Sequence, residues 1–229
     1  MKDSIDFGSM DVSMLFRKLL VPTVLGMVFS AIFVITDGIF VGKGIGSDAL
    51  AAVNIAAPFF MIATGIGLMF GIGGSVVASI HLSQRKSKAA SINITQALIF
   101  SSLIILAMSV LCCLFVEPLA RLLGSSEKLL SLVIEYMLWY LPFLVFYELL
   151  STGMFFIRLD GSPNYAMMCN AVAALLNIIL DYIFIFEFGW EMMGAAFATS
   201  LGTIAGGLMT LIYLLRFSHS IRLYRIKLS

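Results

Sequence analysis

An amide and a carboxylate lie four residues apart in one apolar stretch of the chain, Asn177-Ile-Ile-Leu-Asp181. On a helix, this spacing places both side chains on one face, one turn apart, so that their oxygens can converge on a single point. An acidic residue is costly to bury in such a stretch, and an ionisable residue inside a membrane-spanning helix usually marks a functional site. The pair therefore predicts a functional site, provided that the stretch crosses a bilayer.

Two other acidic residues in apolar stretches are less informative. Glu135 lies seven positions after Lys128, close enough to a boundary for us to interpret it as an interfacial residue. Glu148 lies ten positions before Arg158, in a region where a basic residue could pair with it. We treat Glu148 as a secondary candidate for handling a proton or a substrate.

The whole chain is far more apolar than a soluble domain. Hydrophobic residues make up 61% of its 229 residues and charged residues only 12%, whereas about a quarter of the residues of a soluble domain are charged. This composition predicts an integral membrane protein surrounded by a lipid bilayer. The net charge of +1 provides no field suited to a polyanion, so we expect no nucleic-acid partner.

Six apolar intervals, each longer than the ~20 residues that a spanning helix needs, divide the chain into an all-α bundle. An even number of spans leaves both termini on one side of the membrane. We expect a lead-in over residues 1–14, a six-helix transmembrane lobe over residues 15–217 and a basic tail over residues 218–229. The intervals are Leu19–Gly42, Ala49–Gln84, Ala89–Val116, Leu129–Ile157, Gly161–Phe186 and Met192–Leu215.

The distribution of lysine and arginine orients this bundle. Eleven of these residues fall on the side of the termini and only three, Lys43, Arg121 and Lys128, fall on the opposite side. Because basic residues are enriched in cytoplasmic loops, both termini are predicted to be cytoplasmic. The first fourteen residues have no apolar core or cleavage site, so they do not resemble a cleaved signal peptide.

This topology places two acidic residues at one depth. The first and fifth spans both run outward, with Asp37 six positions before Lys43 and Asp181 six positions before Glu187. At ~1.5 Å per residue, both carboxyl groups lie about 9 Å below the outer boundary. Two carboxylates at one level can share one site, although hydrogen bonding between helices is the simpler alternative for each of them.

Two neighbouring side chains complete a set of oxygen donors. Thr199 lies eight positions after Glu191 in the inward-running sixth span, at a similar level, and Asn177 lies one turn deeper. Carboxylate, amide and hydroxyl oxygens suit a small hard cation such as Na⁺. The same carboxylates can bind H⁺ instead. The predicted cation site therefore consists of Asp37, Asn177, Asp181 and Thr199.

Proline and glycine residues predict how the helices bend and pack. Pro142 removes a backbone donor in the middle of the fourth span and should kink it. Gly202 and Gly206 form a small-xxx-small pair in the sixth span, and Gly67 and Gly71 form another in the second. We expect close packing between helices at both pairs.

Several short segments, in the order in which they occur along the chain, resemble the multidrug and toxic compound extrusion (MATE) transporters. The first two segments both lie in span one and are Pro22-Thr-Val-Leu-Gly26 and Ile35-Thr-Asp37-Gly-Ile-Phe-Val-Gly42. Their order and spacing together are specific, and they cover essentially the whole chain. The others are Ala49-Leu-Ala-Ala-Val53, Ala57-Pro58, Gly71-Ile-Gly-Gly74, Arg158-Leu-Asp-Gly161-Ser-Pro163 and Gly194-Ala-Ala-Phe-Ala-Thr199.

The resemblance implies a twelve-helix fold of two six-helix lobes, of which this chain would be the amino-terminal one. In the prokaryotic branch with a cation site in that lobe, the site residues match Asp37, Asn177, Asp181 and Thr199. Such transporters exchange Na⁺ or H⁺ for amphipathic, often cationic drugs by alternating access. The resemblance also implies a bacterial or archaeal cell membrane, a second lobe as partner and no cofactor besides the coupling ion.

Three alternatives remain open from the sequence. A flippase for lipid-linked oligosaccharides of the same superfamily would need interior basic residues for phosphate, and the spans here carry few. An intramembrane aspartyl protease requires its two acids in YD and GxGD settings, which Asp37 and Asp181 lack. The length of 229 residues leaves open an inactive half-transporter or an assembly subunit.

Overall fold

The computed structural model describes residues 10–221 and residue 223. Most of the basic tail and most of the lead-in predicted from the sequence lie outside these residues. The described part of the chain is helical and contains no strand. Its helices are α1 (Val12–Gly44), α2 (Ser47–Ser83), α3 (Ser87–Leu114), α4 (Val116–Leu122), α5 (Glu127–Tyr140), α6 (Leu144–Leu159), α7 (Pro163–Asp181) and α8 (Glu191–Ile212).

Six of the helical units are long and apolar enough to cross a membrane. Four of them correspond to α1, α2, α3 and the combination of α5 with α6. The other two are α7 and α8, each extended by one π-helical turn, Tyr182–Glu187 and Tyr213–Phe217. The six-span, all-α membrane architecture predicted from the apolar intervals is therefore confirmed.

The first span begins inside the segment that the sequence assigns to the lead-in. α1 starts at Val12, and the carboxylate of Asp11 accepts a hydrogen bond from the backbone N–H of Ser13 at 3.2 Å. Aspartate in this position satisfies one of the donors left free at a helix start. The helix therefore begins where its cap lies, which is earlier than the hydropathy alone indicates.

Pro142 interrupts the fourth span. It lies in a 3₁₀ turn, Leu141–Phe143, that joins α5 to α6. Proline has no N–H to donate to the preceding turn, although α1 and α2 continue through Pro22 and Pro58. The predicted kink is found at this turn.

The helices differ in how much of their surface is buried. α8 lies at the centre and buries twelve residues, mostly glycine, alanine, serine and threonine. α1 lies at the edge, packs mainly against α7, and buries only Pro22, Gly26 and Val41. Small residues on α8 allow its neighbours to approach closely. The bundle is thus organised around α8, with α1 as its most peripheral span.

The turn between α6 and α7 holds the segment that follows α8. Asp160 accepts hydrogen bonds from the backbone N–H groups of His219 (2.8 Å), Ser220 (2.7 Å) and Ile221 (3.1 Å). It also accepts one from the Tyr213 hydroxyl at 2.9 Å. Four donors satisfy a buried carboxylate. Asp160 thereby ties the ends of α6 and α8 together on the side predicted to be cytoplasmic.

Candidate functional site

The structure brings together the four side chains that the sequence selects as a cation site. Asp37 comes from α1, Asn177 and Asp181 come from the last two turns of α7, and Thr199 comes from α8. The Asn177 amide donates a hydrogen bond to the Thr199 hydroxyl at 3.3 Å. The carboxyl groups of Asp37 and Asp181 are close enough for one to donate to the other when one is protonated. Three helices therefore meet at one point.

Several oxygens at this point have no donor. Asn177 and Asp181 are completely buried, and Thr199 is 1% exposed. Both carboxyl oxygens of Asp181, Oδ1 of Asp37 and Oδ1 of Asn177 accept no hydrogen bond from the described residues. Buried polar atoms in proteins are nearly always paired. Four unpaired acceptors in one cluster are suited to binding a cation or a proton.

Tyr136 of α5 is a member of this cluster that the sequence does not indicate. It is 2% exposed, its hydroxyl lies beside that of Thr199, and it interacts electrostatically with Asp37 and Asp181. A tyrosine in an apolar stretch gives no sign of such a role, since aromatic residues are common in membrane spans. Only the packing of α5 against α8 places its hydroxyl here.

Close helix packing positions the amide of Asn177. A Cβ atom added to Gly202 of α8 would lie 2.7 Å from the backbone oxygen of Ala173 and 3.2 Å from Cβ of Asn177. The absence of a side chain at Gly202 therefore lets α7 approach α8 until Asn177 reaches Thr199. The close packing predicted for Gly202 is confirmed.

The end of α7 is held against α1 by aromatic side chains. A π-helical turn, Tyr182–Glu187, follows Asp181 directly. The ring of Phe40, three residues after Asp37 on α1, packs edge-on against Phe186 with 5.6 Å between the ring centroids. π-helical turns are rare and are often found at functional sites. This contact keeps Asp37 level with Asp181.

An open cavity of about 380 Å³ lies on one side of the cluster. Asp37, Thr199 and Tyr136 line it, whereas Asp181 and Asn177 lie behind them in the protein interior. An ion arriving from the cavity therefore meets Asp37 before Asp181. The remaining lining is Ser30, Phe33, Val34, Val53, Asn54, Ala57, Phe60, Met61, Tyr147, Leu150, Asn170, Ala173, Ala174 and Thr203.

The lining of this cavity is apolar and aromatic, with an acidic group at one end. Phe60 stacks on Tyr140 at 4.1 Å between ring centroids and meets Tyr147 edge-on at 5.4 Å. Asp37 is its one charged residue, and no lysine or arginine of the described chain lines the cavity. Its electrostatic character suits cationic rather than anionic compounds.

Glu148 lies apart from this cluster. It is completely buried on α6, receives a hydrogen bond from Ser102 of α3 at 3.1 Å, and shares one with Thr152, whose hydroxyl oxygen lies 2.6 Å from Oε1. The basic partner considered for it from the sequence is not found, because none of the ion pairs among the described residues includes Glu148. Hydroxyl groups take the place of the basic residue.

Two curated bacterial proteins are similar to the chain in sequence. One is the multidrug export protein MepA of Staphylococcus saprophyticus, which is 31% identical over 200 residues, covering 86% of this chain and 44% of that protein. The other is an FAD transporter of Shewanella oneidensis, 31% identical over 206 residues, covering 87% and 45%. The chain spans about half the length of the curated relatives it matches.

Solved structures of multidrug resistance MATE family transporters of the MOP superfamily match the fold. The outward-facing conformation of one aligns with a TM-score of 0.83 at 28% identity, covering 93% of this chain and 48% of that one. An inward-facing conformation aligns with a TM-score of 0.78 at 27% identity, covering 84% and 44%. The six helices thus correspond to one lobe of a twelve-helix MATE fold.

A family model also matches most of the chain. The MatE family model matches residues 22–183, from the first third of α1 to the turn after Asp181. The interval contains Asp37, Asn177 and Asp181. The chain therefore belongs to the MatE family, the multidrug and toxic compound extrusion transporters.

Proposed function

We propose that this chain is the cation-coupled lobe of an antiporter that exports amphipathic, often cationic drugs. The observation that carries this proposal is the pairing of Asp37 with Asp181 beside an apolar, aromatic cavity, with four acceptor oxygens left unpaired. A relative that is a multidrug export protein supports the class of substrate. Members of the family are transporters and not enzymes, so an intramembrane protease is no longer an alternative.

The coupling ion that we propose is Na⁺ or H⁺, bound by Asp37, Asn177, Asp181 and Thr199. The site offers carboxylate, amide and hydroxyl oxygens, which are the donors that hard cations prefer. The described chain contains no cluster of three His, Cys, Asp or Glu side chains that would favour a transition metal. Tyr136 adds a hydroxyl that can either accept from or donate to the bound species.

The proposed mechanism is alternating access driven by the ion. Binding a cation between Asp37 and Asp181 removes the repulsion between two carboxylates and draws α1 towards α7. Within this lobe, α1 packs mainly against α7, so a change between Asp37 and Asp181 acts directly on the contact that positions α1. Because Asp37 and Thr199 also line the cavity, ion entry and the shape of the cavity change together. Relatives solved in outward-facing and inward-facing conformations support two such states.

A second candidate is transport of a phosphate-bearing compound, since one relative is an FAD transporter. The described cavity lining contains an aspartate and no basic residue. A phosphate group would lack the lysine or arginine contacts that it needs and would meet a carboxylate instead. The charge of the cavity therefore favours a cationic drug over FAD, and it disfavours the lipid-linked oligosaccharide alternative for the same reason.

The proposal includes a second six-helix lobe, either in the same gene or as a partner chain. The matched relatives are about twice as long as the matched region, which supports this partner. We also propose a bacterial or archaeal cell membrane, which the bacterial relatives support, with both termini cytoplasmic, which the distribution of basic residues supports. Without the second lobe, the chain would be an inactive half-transporter that still binds the ion.

Asp181→Asn tests the proposed coupling. In cells that produce the chain with its second lobe, we expect efflux of ethidium, a fluorescent organic cation, to fall to the level of cells without the transporter. The neutral amide keeps the shape of the side chain but cannot hold the charge that binds the ion. Glu187→Gln, an exposed residue one and a half turns away, is the control and should transport normally. Undiminished efflux by the Asp181 variant would falsify the assignment.

A further inference from the structure

Glu148 is a completely buried acidic residue that the proposed mechanism does not use. It lies on α6, and α2 and α3 pack around it. The groups that face it are Ser101 and Ser102 of α3 and Thr152 of its own helix. No charged or titratable group of the described chain is among them. An ionised carboxylate in this position would be buried in the membrane without a positive partner, which is costly.

Thr152 connects Glu148 to the backbone of α2. Its hydroxyl oxygen lies 2.6 Å from Oε1 of Glu148 and 3.2 Å from the carbonyl oxygen of Gly67. The contact lies where α2 and α6 come close, because a Cβ atom on Gly67 would lie 2.9 Å from the hydroxyl oxygen of Ser151. Thr152 is therefore a polar link between two spans at their close approach.

Counting hydrogens at Thr152 indicates the protonation state. A hydroxyl group has one hydrogen to donate, and a backbone carbonyl can only accept. If Glu148 is ionised, both neighbours of Thr152 are acceptors and only one of them can be served. If Glu148 carries a proton, it donates that proton to the Thr152 hydroxyl oxygen, and the Thr152 hydroxyl then donates to the carbonyl oxygen of Gly67. Both contacts are then hydrogen bonds. Ser102 meanwhile donates to the other carboxyl oxygen at 3.1 Å.

We propose that Glu148 is a second proton-binding site, separate from the Asp37–Asp181 pair, and that its proton determines whether Thr152 links α6 to the Gly67 carbonyl of α2. In the arrangement observed, Glu148 holds a proton on Oε1. When that proton leaves to water, the hydrogen of Thr152 turns to the carboxylate and the bond to α2 is lost. The inference does not depend on which compound the chain transports.

Infrared difference spectroscopy of the purified chain in lipid vesicles at neutral pH tests this proposal. Subtracting the spectrum of Glu148→Gln from that of the wild type should reveal the C=O stretching band of a protonated carboxyl group. The band should be lost completely in Glu148→Gln and unchanged in the control Glu135→Gln, which alters a half-buried acid of α5. Thr152→Val should shift the band and Thr152→Ser should restore its position, because only serine keeps the hydroxyl.

Thermal unfolding provides a second test that is independent of the infrared C=O band. The amide of Glu148→Gln can donate to Thr152 as the protonated acid does, so its midpoint should match that of the wild type, whereas Glu148→Ala should unfold at a lower temperature. A carboxylate band in place of the C=O band would overturn the proposal. So would a stabilisation by Na⁺ that Glu148→Gln abolishes, since the site would then hold a metal ion. Equal destabilisation by glutamine and alanine would also contradict it.

Discussion

The two carboxyl oxygens of Asp181 are buried in a membrane span without a hydrogen-bond donor. Leaving a buried charge unpaired costs several kcal/mol, about 3–5 in cases where a partner has been removed. A protein can retain such a residue when a bound cation or proton repays the cost. The Tyr136 hydroxyl lies beside that of Thr199 and interacts electrostatically with both carboxyl groups.

Replacing Tyr136 by phenylalanine should weaken cation binding about tenfold, because one hydrogen bond to a charged or ion-binding group is lost. Binding is measured as the change in the unfolding temperature of the purified chain. Na⁺ is titrated at fixed pH to test the metal ion, and the pH is varied without Na⁺ to test the proton. Tyr140→Phe is the matched control. Its hydroxyl is buried on the same helix but has no hydrogen-bond partner, so its removal should leave the affinity unchanged. Equal affinities for both variants would exclude the Tyr136 hydroxyl from the site.

The sequence predicts part of the candidate site, and Tyr136 is the member that it does not predict. Asp37, Asn177, Asp181 and Thr199 could be chosen because polar residues stand out in apolar stretches and topology gives their depth. Tyr136 could not, since its role depends on which side of α5 faces α8. The hydroxyl partners of Glu148 were missed for the same reason, as Ser101 and Ser102 are common residues on another helix.

At the level of helices, the approach of α7 to α8 determines whether Asn177 reaches Thr199. Gly202→Ala should destabilise the chain by about 1–3 kcal/mol, because the new methyl group meets the backbone of α7 rather than a flexible side chain. The same substitution should weaken cation binding by moving Asn177 away. Thermal unfolding and the thermal shift with the cation measure the two effects.

Gly65→Ala is the control for this substitution. A Cβ atom at Gly65 of α2 would meet nothing within 4 Å. Alanine is a better helix former than glycine by ~0.5–1 kcal/mol, so this variant should be unchanged or slightly more stable. If Gly202→Ala behaves in the same way, the close packing of α7 on α8 does not position Asn177.

The helix boundaries were predictable to different degrees. The six spans follow from length and hydropathy. Proline is a weaker signal, because the fourth span is interrupted at Pro142 whereas α1 and α2 continue through Pro22 and Pro58. The π-helical turns Tyr182–Glu187 and Tyr213–Phe217 carry no comparable residue. The first of them carries Phe186, whose ring packs against Phe40 of α1, and a contact between residues so far apart in the chain is not readable from the sequence.

At the level of the whole molecule, the orientation in the membrane can be measured directly. In a variant lacking the three native cysteines, Ser126→Cys should react in intact cells with a thiol reagent that cannot cross the membrane. Ser87→Cys should react only after the cells are opened. Both serines are exposed. Ser87 begins α3, and Ser126 lies beyond the other end of α3, directly before α5. The opposite labelling pattern would reverse the topology inferred from the basic residues.

α1 is synthesised before α7, its main packing partner, and α2 to α6 come between them in the chain. During synthesis, α1 must therefore remain in the lipid without that partner until the fifth span has been inserted. α8, which supplies Thr199, follows later still. In the order of synthesis, the proposed cation site joins the first of the six described spans to the last of them. Asp37 therefore lacks its proposed partners until α8 has been synthesised, and the site can form only after all six described spans are in the membrane.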